Sequence, residues 1–261
     1  AVAESHFDLD YYGGKGFVIT PRIVNDSDAI VRMQAYVANK KENQSVHFVI
    51  EDEEGKVVAE TSKSEKANDA KGLAENIALV DLEQDIRNVH RWHGRKDPYL
   101  YQVVARLMRN GEELDRVEST CGFRSFRFDP KEGFFLNGKK YPLNGISRHQ
   151  DRKAIGNAIT YEMMKEDMEL IKEVGATAIR LPHYQHNQYF YNLCDKEGMI
   201  VWTEIPYISE HMPQGRPNAF SQMHELIAQN YNHPCVVMWG LSNEITISPK
   251  HKKDMLDNHR K

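Results

Sequence analysis

A β-sandwich followed by the first half of a parallel (β/α) barrel is the fold class that this chain predicts. Three observations predict it. Up to about Gly122, short segments alternate apolar and polar residues between turn signals. From Phe126 onward, strand-like runs alternate with amphipathic helical stretches, the pattern of parallel strands joined by right-handed crossovers. The count then stops at about four strands, whereas a closed barrel needs eight. The tail from Lys250 to Lys261 is polar and charged.

The sandwich elements come first. Residues 16–24 form the first strand. Residues 30–39, from Ile30 to Asn39, alternate more clearly, and residues 45–51 follow. Glu53-Glu54-Gly55-Lys56 makes a turn before Val57. Residues 73–80 and 99–107 complete the set, and Arg109-Asn110-Gly111-Glu112 reads as a hairpin turn. Residues 13–125 are therefore assigned to the sandwich and 126–261 to the half barrel. No internal repeat stands out.

In the second region, residues 141–146 are one strand. Thr160 caps a helix whose apolar face is Met164, Met168, Ile171 and Val174, and Gly175 stops it. Residues 177–181 are the next strand. A helix from Asn187 to Glu197 is stopped by Gly198, and residues 199–203 are the third strand. A helix from Phe220 to Asn230, with Ser221 near its start, precedes a fourth strand from Val236 to Leu241.

Bulk properties narrow the function. A chain of 261 residues suits one large or two ordinary domains. Charged residues at 28% and hydrophobic ones at 40% are a soluble globular balance. A net charge of −4 without a basic stripe leaves no electrostatic case for nucleic acid. The apolar stretches are too short to span a bilayer, so no membrane partner is expected. No signal peptide is visible. Cys121, Cys194 and Cys235 are too widely spaced for a disulfide framework or a zinc site. Cys194 and Cys235 lie in apolar segments and read as buried thiols, which fits a reducing compartment, the cytoplasm.

The segment richest in chemistry is Asn232-His233-Pro234 followed by the apolar run Cys235 to Leu241 and then Ser242-Asn243-Glu244. The run fits a strand buried on both faces. Side chains at the C-terminal ends of barrel strands build active sites, so Glu244 is a candidate acid or base. The same residues also fit a helix start, with Asn243 as cap and Glu244 in the first turn.

Asn-His-Pro, an apolar strand ending in Trp239, and Asn243-Glu244 together resemble the acid/base segment of family 2 glycoside hydrolases, the β-galactosidases, β-glucuronidases and β-mannosidases. Four upstream segments agree in order and spacing. Residues 134–139 (Phe-Phe-Leu-Asn-Gly-Lys) resemble the family's entry to the barrel. Residues 144–151 (Asn-Gly-Ile-Ser-Arg-His-Gln-Asp) resemble the end of its first strand, residues 178–184 (Ala-Ile-Arg-Leu-Pro-His-Tyr) the second, and residues 201–206 (Val-Trp-Thr-Glu-Ile-Pro) the third. The resemblance is strong from about Gly122 onward and looser before it.

The resemblance implies an immunoglobulin-like sandwich at 13–125 and the start of a TIM barrel at 126–261. It makes residues 1–12 a joint from a further N-terminal domain. It implies a retaining hydrolysis in which Glu244 is the acid/base and the nucleophile lies on a later strand, outside this chain. Retaining enzymes hold the two carboxyl groups about 5–5.5 Å apart. Glu204 is the other strand-end carboxylate, and the resemblance makes it a supporting residue on the substrate side. Asn243, His183 and His149 are expected to meet sugar hydroxyls. Arg180 is expected to orient carboxylates through a bidentate pair. Trp202 and Trp239 offer either sugar-stacking faces or packing.

Some relatives bind magnesium through a Glu-Thr-His after the third strand. Here that stretch is Ile208-Ser209-Glu210 with His211 displaced, so no tight magnesium site of that design and no other cofactor is expected. His149-Gln150-Asp151-Arg152 and residues 240–244 resemble β-galactosidases more than β-glucuronidases, so the expected substrate is a β-linked galactoside. A glucuronide is the alternative, and a non-catalytic carbohydrate-binding or interaction module is the reading from another class. The open edges of a half barrel are expected to promote self-association.

Overall fold

The computed structural model describes residues 2–66, 73–246 and 252–260. Lys250, His251 and Lys261 of the polar tail lie outside the described residues. Residues 6–121 form two antiparallel sheets. The first holds β1 (His6–Phe7), β2 (Phe17–Ile23), β3 (Ala29–Ala38) and β6 (Ile77–Ile86), with β3 paired to the other three. The second has the order β5 (Val57–Lys63), β4 (Gln44–Glu51), β7 (Tyr101–Arg109), β8 (Glu112–Cys121).

Strand periodicity explains the shared core. Ala29, Val31, Met33, Ala35 and Val37 of β3, Val46, Phe48 and Ile50 of β4, and Val103, Ala105 and Leu107 of β7 are all buried together. Every second residue of each strand faces inward, as a pleated strand requires. Each large member contributes about 2 kcal/mol relative to exposure. The hairpin expected at Arg109–Glu112 is present, with Asn110 and Gly111 both at positive φ.

Two strands depart from the sequence reading. β6 starts at Ile77, four residues later than expected, and runs on through Asp81-Leu82-Glu83-Gln84-Asp85 to Ile86. Its acidic half conceals the strand, because Glu83 and Asp85 face solvent while the backbone pairs with β3 over its whole length. β8 was hidden for the same reason: it is an outer strand that keeps Glu112, Glu113, Arg116 and Glu118 exposed.

A three-stranded meander, β9 (Phe126–Asp129), β10 (Gly133–Leu136) and β11 (Lys139–Lys140), links the sandwich to the α/β region. Four parallel strands follow in the order β12 (Gly145–Ser147), β13 (Ala178–Leu181), β14 (Ile200–Glu204) and β16 (Val236–Gly240). Helices α1 (Tyr161–Glu173), α2 (Gln188–Glu197) and α3 (Arg216–Asn230) connect them. A second parallel pair, β15 (Ile208–Glu210) with β17 (Asn243–Thr246), lies beyond the strand ends, and α4 (Lys252–Arg260) follows.

The helix signals act as expected in most places. Thr160 Oγ1 accepts from the Met163 amide, the Asn187 side chain accepts from the Tyr189 amide, and Gly198 ends α2 in the left-handed conformation. Met164, Met168 and Ile171 are buried, but Val174 is 72% exposed because α1 ends there and its last turn overhangs the core. Helix α3 begins at Arg216 rather than Phe220, since Pro217 in its first turn already has the helical φ. The first barrel strand is shorter than residues 141–146 suggest: Tyr141 packs in the α/β core while only Gly145–Ser147 pair with β13.

The loop before β16 ties the two regions together. Asn232 inserts its amide against the outer side of β2, accepting from the Ile19 amide at 2.9 Å and donating to the Phe17 carbonyl at 2.9 Å. Arg124 donates to the carbonyls of Pro234 and Val236. Burial lowers the Arg124 pKa to about 10. Trp92 is fully buried and donates to the Asp195 carbonyl at 2.9 Å. All three cysteines are free and buried. Among the described residues, no helix is long and apolar enough to cross a membrane.

Candidate active site

The polar side chains of interest sit where the parallel strands end. Arg180 is the third residue of β13, Glu204 is the last of β14, and Asn243 follows β16 by three residues. The apolar run ends in strand β17 rather than a helix, so the helix-cap role considered for Asn243 and Glu244 is not adopted. Pairing of Ile208 with Asn243, with the Asn243 amide donating to the Tyr207 carbonyl at 2.9 Å, turns the chain so that Asn243 faces Arg180.

Four of the expected residues form one hydrogen-bonded cluster. Arg180 Nε donates to Glu204 Oε1 at 2.5 Å, and Arg180 Nη2 donates to Asn243 Oδ1 at 2.7 Å. His183 Nδ1 donates to Glu204 Oε2 at 2.9 Å. The rings of His183 and His149 lie edge to face, 5.5 Å between centroids, which adds His149 to the group. Glu244 is exposed beside Asn243, with φ at 49°.

Two expectations need correction. Glu204 is 0% exposed and each of its oxygens already accepts a hydrogen bond, so it braces the cluster from within rather than standing on the substrate side. Arg180 is not bidentate to one acid: its fork is shared between Glu204 and Asn243. Of the two roles offered for Trp202, the structure shows packing: its ring carries the Arg180 guanidinium 4.6 Å from the centroid. Trp239 packs among the apolar side chains.

A support layer lies beneath the loops that carry both histidines. Arg148 donates to Asp167 through Nε and Nη2, at 3.0 and 2.7 Å, and its guanidinium stacks 3.9 Å over Phe190. His186 takes a hydrogen bond from Arg148 on Nδ1 and donates from Nε2 to the Pro182 carbonyl, a pattern that fits the neutral ring. Burial lowers its pKa to about 4. Tyr184 stacks on His186 and accepts from the Gln150 amide at 3.0 Å.

The stretch at 208–211 departs from a set of oxygen ligands at its first position. Ile208 offers no oxygen and Glu204 has committed both of its own. Among the described residues, the one group of three side chains that brings potential ligand atoms together is Asp195, His233 and Cys235. There the carboxylate accepts from His233 Nδ1 at 2.5 Å and from the Cys235 amide at 3.0 Å, and burial pushes the Cys235 thiol well above its ordinary range. Such a cluster is a satisfied hydrogen-bond network. Asp195 was missed in the sequence, although its four-residue spacing from Tyr191 placed an acid on a buried face.

Comparison with known proteins agrees with the fold. The model for the glycosyl hydrolases family 2 TIM barrel domain matches residues 130–261, and the glycosyl hydrolases family 2 model matches residues 15–124. The chain belongs to glycoside hydrolase family 2. Among family members, a β-glucuronidase of Bacteroides fragilis is 34% identical over 90% of this chain and 34% of its own length. A β-galactosidase of Bacteroides ovatus is 29% identical over 90% of this chain and 28% of its own. The crystal structure of an FMN-binding β-glucuronidase from Facaelibacterium prausnitzii L2-6 superposes with a TM-score of 0.88 at 40% identity, covering 99% of this chain and 38% of that one. The chain thus spans about a third of the length of the family members it matches.

Proposed function

We propose that this chain is the acid/base-bearing part of a retaining β-glycosidase. The observation that carries the proposal is the Arg180–Glu204–His183–Asn243 cluster at the C-terminal ends of parallel strands, next to Glu244. In this reading, Glu244 donates a proton to the leaving glycosidic oxygen. A nucleophilic carboxylate on a later strand forms the glycosyl-enzyme, and Glu244 then takes a proton from the attacking water. Asn243 has its oxygen committed to Arg180, so its NH2 is left to donate to a hydroxyl near the anomeric carbon. His183 has Nδ1 committed to Glu204, which leaves Nε2 for a hydroxyl, and His149 stands beside it.

The substrate is a terminal β-D-galactoside, as the residues around His149 and Glu244 suggest. A β-D-glucuronide is the second reading, supported by the β-glucuronidases of Bacteroides fragilis and Facaelibacterium prausnitzii. We further propose that β12 and β16, the two edges of the parallel sheet, pair with additional strands. In the 261-residue chain by itself a second copy would supply them, and a monomeric mass at micromolar concentration would count against this.

The test is hydrolysis of aryl β-galactoside and β-glucuronide by the full-length gene product and its Glu244→Gln variant. One substrate should turn over, with a loss of roughly 10²–10⁴-fold in the variant. Equal turnover by both proteins would remove Glu244 from the reaction. No turnover of either sugar by the full-length protein would favour the non-catalytic module.

A further inference from the structure

We infer that Trp202 and Gly240 are positioning residues that aim the Arg180 fork, and through it decide which face of the Asn243 amide meets the substrate. The inference rests on the glycosidase reading above, but its first test does not depend on activity.

Arg180 and Trp202 are register partners on the adjacent strands β13 and β14. The guanidinium carbon lies 4.6 Å from the Trp202 ring centroid. An indole face is the best aromatic platform for a guanidinium, and contact with it holds the guanidinium plane while leaving the edge donors free. The plane so held directs Nε to Glu204 and Nη2 to Asn243. These two contacts are unequal. The Glu204 bond is charge-assisted and its acceptor is buried, whereas Asn243 is a neutral amide. A fork that loses its platform therefore keeps Glu204 and lets go of Asn243.

Gly240 makes room for the platform. It is the register partner of Glu204 on β16. A Cβ added there would stand 2.5 Å from Glu204 Cγ and 2.6 Å from Trp202 Nε1. The demand is for space rather than for an unusual backbone, because φ at Gly240 lies outside the left-handed region. Indole, carboxylate stem and strand β16 fit together only because position 240 has no side chain. Any larger residue pushes Glu204 or the ring toward Arg180.

The consequence falls on Asn243. With Oδ1 held by Arg180, the amide presents NH2 outward. Released, it rotates and presents oxygen part of the time, which weakens a donor contact to the sugar hydroxyl beside the reacting carbon. Such contacts strengthen in the transition state, so the loss appears mainly in kcat.

Two measurements test this. The first is nitrogen-detected NMR of arginine side chains in this chain. The Arg180 Nη2 protons, which bind Asn243, should exchange slowly in the native protein and at least roughly tenfold faster in Trp202→Leu, with Trp202→Phe close to native. Unchanged protection in Trp202→Leu overturns the inference, whether or not the protein proves to be a glycosidase. The second uses full-length enzyme. Trp202→Leu and Gly240→Ala should each lower kcat by roughly tenfold with little change in KM. The penalty should largely disappear on the 2-deoxy substrate and in an Asn243→Ala background, as shared action requires. An equal penalty on both substrates, or full activity in both variants, overturns it.

Discussion

Two buried carboxylates in the α/β region face similar partners and reach different ends. Asp195, 1% exposed, accepts from His233 Nδ1 and from the Cys235 amide. Glu204, 0% exposed, accepts from His183 Nδ1 and from Arg180. Both are acid–histidine pairs. What separates them is where the partners' remaining donors point. His233 is 11% exposed, stacks on Tyr191 and reaches Gln188 with its other nitrogen. Its hydrogen-bonding capacity is used inside the fold. Arg180 and His183 are 27% and 22% exposed, so both remain within reach of solvent. A buried acid whose partners are closed off is structural. One whose partners stay open is placed to serve a ligand.

That contrast can be broken by exchanging which property each acid controls. The largest effect is expected from Glu204→Gln in the full-length enzyme. It should cost roughly 10²–10³-fold in kcat, while the melting temperature moves only a few degrees, because water reaches Arg180 and His183 once the charge is gone. Asp195→Ala should do the reverse. It leaves His233 and the Cys235 amide without their acceptor and should lower stability by about 3 kcal/mol, read from denaturant melts. Activity per folded molecule should be retained. If Asp195→Ala abolishes turnover in protein that melts normally, the division between the two acids is wrong.

The acid limb of stability sharpens the comparison from beneath the His183 loop. Burial holds the folded pKa of His186 at about 4, below its ordinary 6.5. The unfolded chain therefore binds the extra proton between these values. The stabilisation is complete above pH 6.5 and is lost as pH falls toward 4. At pH 5 the loss should be about 2 kcal/mol relative to pH 8. Urea midpoints at both pH values should converge more strongly for His186→Gln than for the native chain. A native acid limb no steeper than that of the variant would discount this histidine.

Much of this was legible in the residues, for definable reasons. Thr160, Asn187 and Gly198 act through local geometry, and local geometry is written in neighbouring residues. The same holds for β3, whose alternation is uninterrupted. β6 and β8 were obscured because solvent-facing charges break the apolar rhythm without breaking the backbone pairing. At the site, the positions of Arg180, His183 and Asn243 followed from the ends of strands. The burial of Glu204 did not, because it involves the close approach of Gly240, its partner on the neighbouring strand but distant in sequence. The division of Arg180 between an acid and an amide was equally hidden, since β15 and β17 form a parallel pair that no local signal announces.

The insertion of Asn232 beside β2 also has a consequence in time. One side-chain amide takes the place of a neighbouring strand, meeting the Ile19 amide and the Phe17 carbonyl together. The sandwich strands are complete at Cys121, so a ribosome still has roughly a hundred residues to add before Asn232 exists. At typical synthesis rates that interval is roughly 5–20 s. For that long the nascent sandwich carries a naked outer strand, and a crowded polysome holds many copies of it side by side. Yield from the cell, more than stability of the finished protein, is where a change at Asn232 should first be felt.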